Sequence, residues 1–242
     1  MADVPEGWAT VNSRTCFEGS QNRNTWFMVP STMASSGEVL LRSVAYDHNG
    51  TDPALDDHEL NPRAKYSRNA PASFSSYAAG ELFLGTYSYT SSGENRVDGV
   101  SFSTRPSSIS FQYRYVPANN EVAEMTVSVL DSRGTVIASG RLDLAAASSN
   151  QTKSVALTYS AASFGKKAAT LRVGFKSTKG SNVSAPVPSD LADVTNWTSL
   201  SGQNIPTNQY KSLCVGSKLW ISNVHLGYGT SGASRAKSAK RR

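Results

Sequence analysis

The chain has 242 residues, of which 38% are hydrophobic, 9% aromatic and only 17% charged. The length suffices for a large domain with a real core, and serine, with 38 residues, replaces many of the charges of an average soluble domain. The sequence contains no apolar run of the ~20 residues that a membrane helix needs. It also shows no sustained heptad repeat and no intact signal peptide. We therefore predict one domain over residues 1–228.

The net charge of +6 comes mostly from the last fourteen residues, which contain five basic residues and no acid. Subtracting these five leaves +1 for residues 1–228, so the basic character belongs to a flexible tail over residues 229–242. Such a tail binds polyanions only weakly, through counterion release, and we expect no nucleic-acid partner. The five tail residues are Arg235, Lys237, Lys240, Arg241 and Arg242.

Short β-branched and aromatic runs, separated by Ser, Gly, Asn and Pro, predict about eight strands. In the third strand, four apolar positions (Ile109, Phe111, Tyr113 and Tyr115) alternate with polar ones, so one face of that strand should be buried. The turn at residues 131–134 ends in glycine and predicts a hairpin. We expect an all-β, two-layer antiparallel sandwich. The predicted strands are 38–47, 80–89, 107–116, 123–131, 135–143, 152–159, 168–177 and 217–228, and the long polar loops are 51–76 and 182–209.

The two cysteines, Cys16 and Cys214, lie far apart, without a CxxC motif or a nearby histidine. A structural zinc site needs about four closely spaced ligands, so the pattern argues against one. The first and last strands of a sandwich often run side by side, which would allow a disulfide. Two separate buried thiols are the alternative.

Four motifs, in this order along the chain, carry a resemblance to a known family. They are AAGELFLG at 78–85, DGVSFSTRP at 98–106, FQYRYVP at 111–117 and GSKLWISNVHLGY at 216–228. Together they resemble the carbohydrate metabolism domain found in surface and exported proteins of gut anaerobic bacteria. The resemblance implies a jelly-roll related to carbohydrate-binding modules, an extracytoplasmic location, and a lipid anchor and further domains upstream of this sequence.

The same resemblance raises the question of a structural calcium ion. Many jelly-roll sugar binders open with a Phe-Glu-Gly-like turn and close with a strand whose Asp shares a calcium ion with that Glu. Glu18, in Phe17-Glu18-Gly19, resembles the opening residue, but Ser222 stands where the closing Asp would be. Calcium takes six to eight oxygen ligands, so Glu18 is either a calcium ligand or a loop acid.

The densest group of acids and histidines lies at residues 47–59. A glycosidase needs two carboxylates about 5 to 10 Å apart, and Asp56, Asp57 and Glu59 are the candidates in this group. The alternative is a solvated acidic loop. No nucleophile elbow, phosphate-binding loop or zinc-protease motif occurs in the sequence.

Sugar binding needs an aromatic face that stacks on a pyranose ring, with polar groups that hold its hydroxyls. Trp197 is the best candidate platform, because its neighbours are polar. Arg105 should organise a turn instead. The candidate ligand-binding residues are Trp197, Asn196, Tyr210, Tyr46, Asp47, His48 and Trp26.

We therefore expect a monomeric, exported β-sandwich that binds a polysaccharide or oligosaccharide without catalysis, as part of a carbohydrate-utilisation system. The first alternative is a glycoside hydrolase that uses the carboxylates of residues 47–59. The second is a structural or adhesive module of the cell surface that contacts another protein through a sheet edge or an apolar patch.

Overall fold

The structure of the chain is a computed structural model. It describes residues 4–15, 31–46, 76–90, 93–180, 183 and 215–229. Within these ranges nearly all regular structure is strand, and helix is confined to the four-residue α1 (Asn12–Thr15) and a 3-10 turn at Ala161–Ser163. No helix in these ranges has the length and hydrophobicity that a membrane crossing demands. The predicted all-β class is confirmed.

The first sheet, sheet A, contains eight antiparallel strands. They are β1 (Trp8–Thr10), β5 (Glu81–Thr90), β6 (Gly93–Asp98), β7 (Val100–Ser101), β9 (Ala123–Leu130), β10 (Val136–Leu144), β12 (Thr158–Tyr159) and β13 (Thr170–Lys176). Their order is β1-β5-β13-β9-β10-β12, while β6 pairs with β5 and β7 pairs with β13.

The second sheet, sheet B, contains six antiparallel strands. They are β2 (Thr32–Ser35), β3 (Glu38–Tyr46), β4 (Ser76–Ala78), β8 (Ser108–Val116), β11 (Ala147–Ala156) and β14 (Val215–Gly227). Their order is β11-β8-β14-β3-β2, and β4 pairs with β3. The predicted two-layer antiparallel sandwich is thus confirmed, whereas its jelly-roll topology stays a prediction.

The two sheets enclose one main hydrophobic cluster, to which both contribute. In β8 the predicted alternation is confirmed, since Ile109, Phe111, Tyr113 and Tyr115 are all buried. Phe111 of sheet B meets Phe175 of sheet A edge to face, with ring centroids 5.1 Å apart. Such a pair adds about 0.5–1.5 kcal/mol beyond the burial of its surface, so it helps to hold the two layers together.

The predicted strand at 152–159 was wrong in one respect, because the chain forms two strands there. β11 begins earlier, at Ala147, and its first half is exposed and polar, so it has no hydrophobic alternation to reveal it. At Leu157 the chain leaves sheet B, and Thr158 and Tyr159 pair with β10 in sheet A. Five short strands (β1, β2, β4, β6 and β7) were not predicted. The hairpin between β9 and β10 was predicted and is confirmed.

The end of β3, strand β4, the residues after β13 and the start of β14 meet at one end of the sandwich. The Oγ atom of Ser43, near the end of β3, is 3.0 Å from the Oγ of Ser177 and 2.7 Å from the Oγ1 of Thr178, which follow β13. Val44 pairs with Ala78 of β4 and with Val215 of β14. Residues from four parts of the chain that are distant in sequence are therefore close neighbours at this end.

Candidate functional site

Most residues predicted to carry function lie outside the described residues, and for them the predictions stand untested. Tyr46 is the exception, because its backbone ends β3 and pairs with Ser76. The residues outside the described ranges are Cys16, Glu18, Trp26, Asp47, His48, Asp56, Asp57, Glu59, Asn196, Trp197, Tyr210 and Cys214. Among the residues that are described, no three His, Cys, Asp or Glu side chains group as metal ligands would. The calcium ion stays a prediction.

Arg105 has the structural role predicted for it. Its Nη1 atom donates hydrogen bonds to the backbone oxygens of Ser163 and Lys166, at 3.2 and 2.6 Å, and its guanidinium lies 4.2 Å from the ring centroid of Tyr159. Arg105 therefore closes the turn that follows the 3-10 segment.

The outer face of sheet A carries an open groove of about 440 Å³ that runs across β5, β13, β9 and β10. We call it the arginine groove, because a guanidinium comes from each of three strands, β6, β10 and β13. Neighbouring strands are about 4.8 Å apart, so the groove spans roughly 14 Å from β5 to β10. Its polar side chains are Arg96, Asp98, Thr126, Ser128, Ser139, Arg141 and Arg172.

Strand alternation places these polar side chains on the outer face. In β9 and β13 every second residue is buried in the core, and the residues between them point away from it. Register then brings the outward residues together: Arg172 lies opposite Ser128, and Thr126 lies opposite Arg141. The groove therefore follows from the pairing of β5, β13 and the β9–β10 hairpin, which are distant from one another in sequence.

The floor of the groove is open because β13 has a glycine at its centre. Gly174 lies between Phe83 of β5 and Thr126 of β9. A Cβ atom at this position would lie 3.2 Å from the Oγ1 of Thr126 and 3.9 Å from the Cβ of Phe83. Any larger side chain would therefore occupy the space above the sheet.

One wall of the groove is the hairpin of β5 and β6, which bends back over sheet A. Arg96 pairs with Tyr87 in this hairpin. If β5 were straight, Tyr87 would lie about 20 Å from Glu81. Yet the Nη1 of Arg96 lies 2.8 Å from the Oε2 of Glu81. The bend occurs at Gly85, whose φ is +141°, and a Cβ atom there would collide with the carbonyl oxygen of Val97.

Arg96 covers an aromatic ring and is itself held by two carboxylates. Its guanidinium carbon lies 3.9 Å from the ring centroid of Phe83, which is buried. Burial alone would lower the pKa of Arg96, but hydrogen bonds to Glu81 and Asp98 outweigh it and raise the pKa. Arg96 is therefore a fixed positive charge on the wall.

A row of ion pairs borders the groove on its β10 side and at the end nearest Ser177. The Nζ of Lys176 lies 3.0 Å from the Oε1 of Glu81, and the Nη2 of Arg141 lies 2.8 Å from the Oε2 of Glu124. Asp143 also faces Arg141, and its pKa is lowered chiefly by its hydrogen bond with Lys179. These carboxylates are partnered by cations.

Phe83 lines the groove, but its ring is buried beneath Arg96 and offers no open stacking face, and three other described aromatic residues lie elsewhere. Trp8 packs inward, with its ring centroid 6.3 Å from that of Phe175. Trp220 lies under the guanidinium of Arg114, whose Cζ is 4.0 Å from the ring centroid. Phe164 is 94% exposed, but it lies beside the 3-10 turn, away from the residues that line the groove.

The arginine groove was not predicted from the sequence. The outward positions of the predicted strands 123–131 and 168–177 are polar, and that pattern was available as a signal. It could not show that these two strands are neighbours, nor that the hairpin of Arg96 bends over them. The site depends on those two contacts.

Comparison with known proteins gives no family. No family model matches the chain, and no curated protein matches it. Among solved structures, the chain is similar to a chain of the infectious bursal disease virus Gx strain, with 8% identity and a TM-score of 0.25. That match covers 85% of this chain, which spans 55% of the length of the viral one.

A second similar structure is the Stig cyclase Fisc from Fischerella sp. TAU in complex with (3Z)-3-(1-methyl-2-pyrrolidinylidene)-3H-indole. It shares 10% identity and a TM-score of 0.26, over 92% of this chain and 88% of that chain. With scores this low, we base no conclusion about fold or function on either structure.

Proposed function

We propose that this protein binds a glycan, without acting on it chemically, in the arginine groove on the outer face of sheet A. The observation that carries the proposal is the open glycine floor between walls of guanidinium and hydroxyl groups. Sugar hydroxyls both donate and accept hydrogen bonds. Guanidinium N–H groups can donate to them, and Ser and Thr hydroxyls can do either.

The state of the carboxylates supports binding over catalysis at this groove. A glycosidase acid must hold its proton near neutral pH, which requires a raised pKa. Asp98 is ion-paired with Arg96, Glu124 with Arg141, and Asp143 with Arg141 and Lys179. The pKa of Asp143 is lowered, chiefly by its hydrogen bond with Lys179, which is the opposite of what a general acid needs.

We also propose that the sandwich has jelly-roll topology, and the order of its eight longest strands supports this. Sheet A contains the run β5-β13-β9-β10 and sheet B the run β11-β8-β14-β3. The hairpin partners β9 and β10 aside, neighbours in these runs are distant in sequence, as expected when the chain crosses repeatedly between layers. We further propose an extracytoplasmic module of a carbohydrate-utilisation system, on the motif resemblance alone.

The experiment is an affinity-gel screen of the full chain against polysaccharides, run beside two variants. Gly174→Val should fill the groove floor, and Trp197→Ala removes the aromatic platform predicted from the sequence. We expect wild type to be retarded by at least one polysaccharide and Gly174→Val to migrate freely.

The two variants separate two locations of the site. Loss of retardation in Trp197→Ala alone would place the ligand at the platform predicted from the sequence and contradict the groove. Migration of wild type unchanged by every polysaccharide would overturn glycan binding altogether.

A further inference from the structure

The three arginines of the groove differ in how their charge is compensated. Arg96 contacts Glu81 and Asp98, and Arg141 contacts Glu124 and Asp143. Arg172, between them on β13, makes no ion pair with any carboxylate among the described residues. Arg172 also lies at the centre of the groove. It belongs to a row that crosses the sheet, in which it lies opposite Ser128 of β9 and Ser128 lies opposite Ser139 of β10.

The guanidinium of Arg172 is also oriented. Its Nε donates to the backbone carbonyl oxygen of Asp98 over 3.2 Å. The bond uses one N–H group, and the two Nη groups of this exposed residue make no hydrogen bond with the described residues. A guanidinium held in this way presents parallel N–H groups, the geometry that binds a carboxylate or sulfate by two hydrogen bonds.

We propose that Arg172 is the specificity-determining residue of the groove, and that it selects glycans bearing an acidic group, a carboxylate or a sulfate. This inference rests on the proposed glycan binding. The hydroxyls of Ser128 and Ser139 lie beside Arg172 in the same row and hold the neighbouring sugar hydroxyls. A positive charge at the centre of the groove that no carboxylate of the described residues pairs with favours such a ligand over a neutral one.

The test measures binding of three tetrasaccharides by calorimetry with the full chain. Tetragalacturonate carries carboxylates, a sulfated galactan tetramer carries sulfates, and galactotetraose is the neutral match. We expect at least one acidic probe to bind tenfold or more tightly than the neutral one, and more weakly as salt rises. The variant Arg172→Gln should abolish that preference. Arg172→Lys keeps the charge but not the planar guanidinium with its parallel N–H groups, and it should keep part of the preference.

Two controls address charge away from the groove. Lys153→Gln removes one exposed positive charge from β11 of sheet B, and the triple variant Lys240→Gln, Arg241→Gln, Arg242→Gln removes charge from the basic tail. Both should keep the preference for the acidic probe. Loss of the preference in the tail variant, with Arg172→Gln unaffected, would overturn the inference.

The remaining outcomes separate the inference from the function on which it rests. Equal binding of acidic and neutral probes, lost in Gly174→Val, would overturn the role of Arg172 and leave glycan binding in place. Absence of binding by all three probes, together with an affinity-gel screen in which no polysaccharide retards the chain, would overturn both.

Discussion

The Nε atom of Arg172 donates a hydrogen bond to the backbone carbonyl oxygen of Asp98 over 3.2 Å. The carboxylate of the same aspartate accepts a hydrogen bond of 2.8 Å from the Nε of Arg96. Asp98 thus orients two guanidinium groups that come from β13 and β6. Groups fixed before a ligand arrives lose less conformational entropy on binding, so this contact makes the groove a preorganised surface.

The bend of the β5–β6 hairpin should depend on Gly85. Replacing it with alanine places a Cβ against the carbonyl oxygen of Val97, in a backbone conformation, φ +141°, that side chains rarely adopt. We expect Gly85→Ala to lower the free energy of unfolding by about 3 kcal/mol or more, measured by urea denaturation.

Gly134→Ala is the matched control for that prediction. Its φ is also positive, at +77°, but no atom lies within 4 Å of the added Cβ. The expected cost is the backbone term alone, about 1–2 kcal/mol. Equal losses in the two variants would show that Gly85 matters only for its own φ and not for the approach of β6.

Filling the groove floor should leave the fold intact. Gly174 has no positive φ, and its nearest neighbour is the exposed Thr126, whose side chain can turn aside. A β-branched residue in a strand gains about 0.5–1 kcal/mol relative to glycine, which offsets the crowding. Thermal unfolding of Gly174→Val should therefore match wild type within about 1 kcal/mol, and a loss above about 2 kcal/mol would contradict this description of the floor.

A buried hydrogen-bond network at the end of the sandwich should contribute to stability. Ser217 is fully buried; its Oγ accepts from the backbone N–H of Ala118 at 2.9 Å and donates to Glu121 at 2.6 Å. Ser217→Ala should cost about 1–2 kcal/mol, since it leaves the half-buried backbone N–H of Ala118 without its hydrogen-bond partner. Urea denaturation beside the exposed Ser148→Ala, expected within about 0.5 kcal/mol of wild type, gives the comparison; indistinguishable variants would contradict the network.

The free energy of unfolding should fall at acid pH as Asp131 becomes protonated. Its Oδ1 accepts backbone hydrogen bonds from Thr135 and Arg133, both 2.9 Å long, and these lower its pKa below the ordinary 3.8, with the Thr135 bond the larger cause. Its stabilisation is therefore complete above about pH 5 and lost as the pH falls through 3.8 and the lowered pKa.

The variant Asp131→Asn cannot ionise, so its stability should decline less than that of wild type between about pH 5 and pH 2.5. Midpoints of urea unfolding across that range measure the difference. Parallel pH profiles for the two proteins would show that the folded and unfolded chains bind this proton equally.

The sequence predicted strands well where one face is buried and the other is polar. In β8 the alternation from Ile109 to Tyr115 specified both the strand and its inner face, because burial imposes a period of two. It failed at β6, whose residues are nearly all exposed and follow no such period. That strand is formed by pairing with β5 and by the bend at Gly85.

The candidate site was beyond the sequence for a related reason. Arg96, Arg141 and Arg172 are far apart in the chain, and nothing local to any of them marks a shared surface. Their proximity depends on the order in which β5, β13, β9 and β10 pair, which is a tertiary property. The polar outward positions of each strand could be predicted from the sequence, but the strands that lie beside them could not.

The central claim is that a glycan binds on the outer face of sheet A. The most direct measurement is an NMR titration of the isotope-labelled full chain. An oligosaccharide from a polysaccharide that retards the chain in the affinity gel is added, and the amide chemical shifts are recorded. The proposed site predicts shifts concentrated at Thr126, Ser128, Arg172 and Gly174. Shifts confined to sheet B or to residues outside the groove would contradict it.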